Sequence, residues 1–193
     1  MFVCNLITDP TAPRLGISLV ESLRSAWGGG HVQWLAPNEA AEFQVSTMPE
    51  NFWDVWAEFQ ILGVDLIIQP VAGRRKAILL ADMDSTMIQQ ECIDELAIMA
   101  GVGNRVGRIT ARAMNGELDF EMSVVERVAL LKGLPESIIS EVLASRISFT
   151  PGGSILLATM KANGAYAALV SGGFTAFTAS VSNRLGFDEH RAN

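Results

Sequence analysis

The stretch "AILLADMDSTMIQQE", residues 77–91, decides the fold of the second part of the chain. Its five leading apolar residues predict a buried strand, and two aspartates one residue apart follow directly at the end of that strand. A carboxylate is costly to remove from water. Asp82 and Asp84 therefore either lie at a solvated mouth or take part in chemistry.

Composition limits the classes of protein that the chain can belong to. With 193 residues, 49% of them hydrophobic and 18% charged, it is long and apolar enough to bury a substantial core. A net charge of −7 argues against nucleic acid as a partner, because affinity for polyphosphates rests on clustered Lys and Arg. Cys4 and Cys92 offer no disulfide framework, which favours a reduced compartment.

The amino terminus "MFVCNLITDP" lacks a basic segment typical of a signal peptide, and no apolar run approaches membrane-spanning length. We therefore expect a cytoplasmic protein without a membrane partner. Self-association into a homo-oligomer stays open at this level.

The first part of the chain predicts a small α+β domain over residues 1–72. Its patterns indicate strands at 2–8, 31–36, 42–46 and 64–70 and helices at 13–27 and 50–62. All four tryptophans fall in this part and are predicted to be core residues. Residues 70–76, "PVAGRRK", combine Pro, Gly and three charges and are the best linker candidate.

From residue 77 the pattern predicts an α/β unit with parallel strands and crossover helices. After the first strand, helical patterns follow at 89–101, 105–116, 120–133 and 135–147. These helices form an inserted bundle, the cap, over about 88–148, and "GVGNRVG" at 101–107 is predicted to connect two of them. A second apolar strand, 165–170, then leads into "SGGFT" and another helix.

Both strands of this unit end in polar loops, "DMDST" and "SGGFT". Ligands of parallel sheets bind at the carboxyl ends of the strands, so the two loops should face one site. Asp82 and Asp84 could share a hard cation such as Mg²⁺, and a carboxylate is a competent nucleophile. Ser171 with the N–H groups of Gly172 and Gly173 would bind phosphate oxygens. The combination suggests phosphoryl transfer through an aspartyl-phosphate.

These motifs carry a resemblance to a known family. "DMDST" matches the DxDxT nucleophile motif of the haloacid dehalogenase-like superfamily, and "DMDSTMIQQECIDELA" looks like its phosphoserine phosphatases. "LVSGGFT" at 169–175 is similar to their second motif, and residues 111–135 follow their cap segment. The resemblance implies a partial Rossmann-like parallel-sheet core with a helical cap, preceded by a small ACT-like domain.

The resemblance also implies catalytic roles. Asp82 would attack phosphorus, and Asp84 would protonate the leaving serine oxygen and later deprotonate the hydrolytic water. Mg²⁺ would lie on the Asp82 carboxylate and the Asp84 carbonyl oxygen.

The remaining implied roles concern the substrate, O-phosphoserine. Glu91 would receive its ammonium group, and Arg127 would pair with its carboxylate. Six further residues would hold the phosphate or close the pocket against water: Ser85, Ser171, Gly172, Gly173, Phe120 and Met114.

Each of these residues also has a purely structural interpretation. "DMDST" alone could be an Asx-type turn in which Asp84 or Ser85 caps the next helix. Glu91 and Arg127, taken singly, are typical of solvated helix residues.

The family has two later motifs, a lysine and an aspartate-rich loop that completes the Mg²⁺ site. The chain ends at "FDEHRAN", residues 187–193, before either of them. We expect a truncated phosphatase; completion by a partner or a second copy and a natural non-catalytic derivative are the alternatives. Other functions left open are phosphoryl transfer to an alcohol such as homoserine and a non-catalytic amino-acid-binding or regulatory role.

Overall fold

The two parts of the chain build different kinds of sheet. In the computed structural model, which describes residues 1–193, one unit comprises Met1–Arg75 and the other Lys76–Asn193. The first unit contains a four-stranded antiparallel sheet and the second a three-stranded parallel sheet. No helix of the chain combines the length and the apolar character needed to span a bilayer.

The first unit has the element order βαββαβ. Its elements are β1 (Phe2–Thr8), α1 (Ile17–Ala26), β2 (Gln33–Ala36), β3 (Ala40–Val45), α2 (Phe52–Ile61) and β4 (Val64–Pro70). The strand order is β2-β3-β1-β4, and every neighbouring pair is antiparallel. This is the arrangement of two interleaved split βαβ units seen in ferredoxin-like folds.

Not all four tryptophans of this unit are core residues, contrary to the prediction. Trp27 and Trp34 pack against the core, but Trp53 is 68% exposed. The reason is that α2 turns Phe52 and Phe59 toward the sheet, which leaves Trp53 on another face of the helix.

Two helix starts differ from the sequence prediction. Helix α1 begins at Ile17 rather than Pro13, since Asp9 Oδ1 accepts hydrogen bonds from the N–H and the hydroxyl of Thr11 and folds the preceding residues into a turn. Most of the predicted connection at 101–107 is helical, because α4 already begins at Gly103. Burial of Val106 offsets the low helix propensity of the glycines around it.

The second unit places a helical cap between two strands of its sheet. Its elements are β5 (Ile78–Ala81), α3 (Cys92–Met99), α4 (Gly103–Met114), α5 (Phe120–Ala129), α6 (Ser137–Ser145), α7 (Gly153–Ala162), β6 (Tyr166–Val170), α8 (Thr175–Leu185) and β7 (Glu189–Arg191). The strand order is β5-β6-β7, with both pairs parallel. We call α3–α6 the cap. The α/β class with a parallel sheet agrees with the sequence prediction, whereas β7 was not predicted.

The core of the second unit lies between the sheet and the two helices that flank β6 in sequence. Leu157 of α7 and Phe177 of α8 are fully buried and belong to the same cluster as Ala167 and Leu169 of β6. On β5, Leu80 is 69% exposed. The sheet is therefore stabilised by the side chains buried between it and helices α7 and α8.

The cap enters and leaves the sheet unit through two segments that pair with each other. Ile88 and Phe149 form an antiparallel bridge, and the Gln89 N–H donates to the Ser148 carbonyl at 3.0 Å. The Gln90 side chain adds two hydrogen bonds to Ser148, through its amide nitrogen and its oxygen. The two connections are thus held side by side.

Truncating Phe177 to alanine should destabilise the second unit by about 3–5 kcal/mol, because a fully buried aromatic ring is replaced by a cavity. Urea unfolding measures this change. As a control, Ile155→Ala on the exposed side of α7 should change the free energy of unfolding by less than about 0.5 kcal/mol. Equal effects of the two variants would contradict the core assignment.

Asp188 should make the stability of the second unit pH-dependent. Its carboxylate accepts hydrogen bonds from Lys161 Nζ at 2.7 Å and from the Ala167 N–H at 2.8 Å, and the bond from Lys161 is the main cause that lowers the Asp188 pKa. A lowered pKa in the folded state contributes stability that is present above the unfolded pKa of about 4 and is lost as the pH falls through the folded value.

We therefore expect the free energy of unfolding, measured with urea, to fall less between pH 7 and acidic pH in Asp188→Asn than in the unaltered chain. Asp65→Asn, on the exposed side of β4, is the control and should follow the unaltered chain. An identical pH dependence in Asp188→Asn would show that these bonds contribute nothing.

Candidate active site

The parallel pairing of β5 and β6 brings two loops to one edge of the sheet. Ala81, the last residue of β5, lies opposite Leu169, one residue before the end of β6. Asp82 and Ser171 therefore open neighbouring loops at the carboxyl ends of the strands, where ligands of parallel sheets bind.

The first loop is a tight turn held by two buried methionines. Met83 and Met87 are both buried, and the Met83 carbonyl accepts a hydrogen bond from the Ile88 N–H at 3.0 Å. Asp82 is exposed, and its Oδ1 accepts from the Met83 N–H at 2.7 Å. Ser85 has a φ of +50°, a left-handed conformation that is uncommon for a residue with a side chain. The loop is thus fixed in a shape that departs from an ordinary helix start.

Asp84 lies deeper than Asp82 and has one unsatisfied oxygen. Its Oδ2 accepts from the Cys92 N–H at 3.4 Å, while its Oδ1 is buried and accepts no hydrogen bond. Burial is the main cause that raises the Asp84 pKa, and the negative charge of Glu91 raises it further. Asp84 consequently keeps its proton to a higher pH than a free aspartate does.

The second loop offers hydrogen-bond donors at the start of a helix. Ser171 Oγ accepts from the Gly173 N–H at 3.0 Å, so the serine proton stays free to donate to a ligand. The N–H groups of Gly172 and Phe174 make no hydrogen bond in the structure. Helix α8 begins at Thr175, and the positive end of its dipole favours an anion.

Gly173 marks the place where the two loops meet. A Cβ atom at this position would lie 3.2 Å from Ser171 Oγ and 3.5 Å from Asp84 Oδ2. A residue without a side chain therefore allows the serine and the aspartate to approach each other.

Helix α5 of the cap supplies the opposite wall. Asp119 caps this helix by accepting from the Met122 N–H at 2.7 Å. Phe120 and Arg127 are seven residues apart, which places them on the same face, and Arg127 Nε donates to the Ser123 carbonyl at 3.2 Å. A Cβ at Gly172 would lie 3.2 Å from Phe120 Cζ, so the phenyl ring lies over the second loop.

Glu91 joins the first loop to the cap. It immediately precedes α3, and its Oε1 accepts a hydrogen bond from Ser85 Oγ at 2.7 Å. The carboxylate lines the same cavity as Arg127.

These groups enclose a cavity of about 220 Å³. Its lining comes from both loops and from the cap: Asp82, Asp84, Glu91, Ile93, Phe120, Val124, Arg127, Ser171, Gly172, Gly173, Phe174 and Asn193. Eight of the ten residues singled out from the sequence are among them. The other two do not line the cavity: Ser85 donates a hydrogen bond to the lining residue Glu91, and Met114, at the end of α4, is 84% exposed.

Four lining residues were not singled out from the sequence. Val124 could have been found, since it is four residues after Phe120 and three before Arg127 on one helix face. Ile93 and Phe174 lie within the quoted motifs but carry no polar group to draw attention. Asn193 reaches the cavity only because of the unpredicted strand β7.

The oxygen atoms of the first loop fit a magnesium ion. Nowhere in the chain do three or more His, Cys, Asp or Glu side chains converge as a self-sufficient metal site. Mg²⁺ does not require such a cluster, because it is usually bound by one or two carboxylates together with waters and substrate phosphate. Asp82 offers such a carboxylate, of which only Oδ1 accepts a hydrogen bond, and the backbone carbonyl oxygen of Asp84, two residues later, accepts none.

Comparison with known proteins agrees with this geometry. The family model of haloacid dehalogenase-like hydrolases matches residues 79–193, a range that contains both loops and the cap. The chain belongs to this family. The resemblance predicted from "DMDST" and "SGGFT" is therefore confirmed.

Relatives of the chain within the family carry a more specific name. The chain is 44% identical over 133 residues to a phosphoserine phosphatase of Archaeoglobus fulgidus, and the matched region covers 68% of this chain and 38% of that protein. It is 43% identical over 161 residues to a phosphoserine phosphatase of Streptomyces coelicolor, which covers 81% of this chain and 39% of the relative. The chain thus spans less than half the length of these two relatives.

Among solved structures, the chain is similar to a haloacid dehalogenase-family hydrolase of Salmonella enterica serovar Typhi, with a TM-score of 0.82 and 27% identity. The match covers all of this chain and 67% of the Salmonella chain. The similarity therefore includes the first unit as well as the second.

Proposed function

We propose that this chain carries the nucleophile and the substrate pocket of a Mg²⁺-dependent phosphoserine phosphatase, which hydrolyses O-phosphoserine to serine and phosphate. The observation that carries the proposal is the composition of one cavity. It combines Asp82 and Asp84 with donors for an anion at Ser171 and with one acidic and one basic group of the cap side, Glu91 and Arg127. The names of the relatives support the same substrate.

The two carboxyl groups divide the chemistry between them. The exposed Asp82 carboxylate attacks phosphorus, and the bond from phosphorus to the serine oxygen breaks. Asp84, whose pKa is raised by burial, gives its proton to the departing oxygen. The resulting Asp84 carboxylate then takes a proton from the water that hydrolyses the aspartyl-phosphate, which returns both groups to their starting states.

Mg²⁺ would be held by the Asp82 carboxylate and the Asp84 carbonyl oxygen and would supply positive charge that offsets repulsion between the nucleophile and the phosphate. The chain's own donors act on the phosphate oxygens. The Ser171 hydroxyl and the Gly172 N–H are free to donate, and the start of α8 adds a favourable dipole. Ser85 is a further proposed donor, and its hydroxyl, which donates to Glu91 Oε1 in the structure, would have to turn from Glu91 to the phosphate.

The amino-acid end of the substrate would lie between Glu91 and Arg127. The Glu91 carboxylate attracts the ammonium group, and the Arg127 guanidinium pairs with the carboxylate in a bidentate geometry. Phe120 and Val124 form an apolar wall that excludes water. This pair of opposite charges favours an amino-acid phosphate over a sugar phosphate. Met114 is also proposed to help close the pocket against water. Because its side chain is 84% exposed, it would reach the pocket only if the cap moved.

We further propose that the first unit is an ACT-like domain, which its βαββαβ order and its four-stranded sheet support. The proposed location is the cytoplasm, where the two free cysteines, Cys4 and Cys92, would stay reduced.

A second candidate function, binding of an amino-acid phosphate without turnover, is favoured by one observation. Arg127 is the sole cationic side chain that lines the cavity. In the proposed binding mode it pairs with the amino-acid end of the substrate, so no lysine or arginine side chain of the cavity lining is left to neutralise the transferring group.

Replacing Asp82 with asparagine tests the proposal. We expect Mg²⁺-dependent release of phosphate from O-phosphoserine by the 193-residue chain and a fall in kcat of roughly 10³-fold or more in Asp82→Asn, because the nucleophile is lost. Free phosphate is measured by a colorimetric assay, and Asp65→Asn in the first unit is the control with unchanged turnover.

The alternative outcomes separate the candidates. Binding of O-phosphoserine without turnover in the unaltered chain would favour the binding function. Phosphorylated homoserine formed in place of free phosphate, when homoserine is added, would indicate a phosphotransferase. If the unaltered chain showed neither binding of O-phosphoserine nor turnover, both proposals would be refuted.

Glu91→Gln should weaken binding of O-phosphoserine about 10- to 100-fold, because a charge-assisted contact with the ammonium group is lost. The phosphate ester of 3-hydroxypropionate, which lacks the ammonium group, should bind equally well to both forms. Isothermal titration calorimetry gives both dissociation constants without any need for turnover.

The matched control is Glu121→Gln, on the exposed side of α5, which should alter neither constant. An equal loss of affinity for both ligands in Glu91→Gln would argue against an ammonium site.

A further inference from the structure

Asn193 makes contacts with the second loop that the proposed chemistry has not used. Its side-chain Nδ2 donates to the Gly172 carbonyl at 2.9 Å, and its backbone N–H donates to the Gly173 carbonyl at 3.1 Å. Its own carbonyl accepts from the Thr175 N–H at 2.9 Å and from the Thr175 hydroxyl at 2.6 Å. One residue therefore contacts two successive carbonyls of the loop and the first residue of α8.

The adjoining strand reinforces these contacts. The Ser171 N–H donates to the carbonyl of Arg191, the last residue of β7, at 3.0 Å. The loop is thus tied to the segment 191–193 at its beginning, its middle and its end. Since the backbone contacts persist in any side-chain variant, the specific contribution of Asn193 is the bond from Nδ2.

That bond acts on a single peptide plane. The Gly172 carbonyl and the Gly173 N–H belong to the same planar peptide group and point in opposite directions. Asn193 holds the carbonyl, and Ser171 Oγ holds the N–H at 3.0 Å. Fixing one end of the plane therefore fixes the other.

Two successive glycines make this peptide unusually free to rotate, because neither has a Cβ that restricts its backbone angles. If the plane turned over, the Gly172 carbonyl would leave Asn193 and the Gly173 N–H would leave Ser171. The serine hydroxyl would lose the acceptor contact that leaves its proton directed to a ligand.

We propose that Asn193 is a positioning residue for the phosphate-binding loop: by holding the Gly172–Gly173 peptide, it orients the Ser171 hydroxyl as a donor to the phosphate group of the substrate. This inference rests on the proposed function of the cavity. It adds a residue that acts through Ser171 and takes no part in the transfer itself.

Asn193→Ala should weaken binding of inorganic phosphate, measured by calorimetry with Mg²⁺ present, about 3- to 10-fold, the effect of one net hydrogen bond. In a Ser171→Ala background, the same change should have a much smaller effect, because the group through which Asn193 acts is gone. The amide hydrogen of Gly173 should exchange faster in Asn193→Ala, as followed by NMR.

Asn163→Ala is the matched control. Asn163 Nδ2 makes the same kind of bond, to the Thr159 carbonyl at 2.8 Å, but at the end of α7. This variant should leave phosphate affinity and Gly173 exchange unchanged.

Additive losses in the double variant, or an unchanged rate of Gly173 exchange in Asn193→Ala, would overturn the inference. Absence of phosphate binding in the unaltered chain would instead refute the proposed function. In that case the Gly173 exchange rate still decides whether Asn193 holds the peptide.

Discussion

The pairing of β5 with β6 is the constraint on which the rest of the second unit depends. Because the two strands are parallel and in register, their loops leave the sheet at the same edge, although about ninety residues separate them in the chain. Burial of Met83 and Met87 then holds the first loop down, and the bond between Ser171 and Gly173 shapes the second. The cavity exists because local turns of modest stability begin from a sheet whose register is fixed by the core beneath it.

The same geometry gives two neighbouring carboxyl groups different environments. Asp82 is exposed and engaged by a backbone N–H, whereas Asp84 is half-buried with one buried oxygen unsatisfied. Burial raises the pKa of Asp84, so this carboxyl group keeps its proton to a higher pH than a free aspartate does. The burial of Asp84 is unfavourable for stability, and it is sustained by the packing of the surrounding residues.

The sequence indicated much of this arrangement because the informative signals were local. The range predicted for β4, residues 64–70, agrees with the structure, and the loops after β5 and β6 could be located from the apolar runs before them. The strand Glu189–Arg191 could not be found in the same way, since it is short and polar and depends on its pairing with β6. The position of Asn193 in the site and the exposure of Trp53 could not be predicted for the same reason. Both depend on contacts between residues far apart in the chain.

The paired connections of the cap have a consequence for how such a protein can diversify. The chain departs from the sheet near Ile88 and returns near Phe149, and these two points lie side by side. An insertion whose ends meet does not alter the separation of the strands on either side of it. Its length, helix number and lining side chains are therefore free to vary while the chemistry beneath stays constant. If the proposed function holds, substrate preference and reaction type are encoded in separable stretches of the gene.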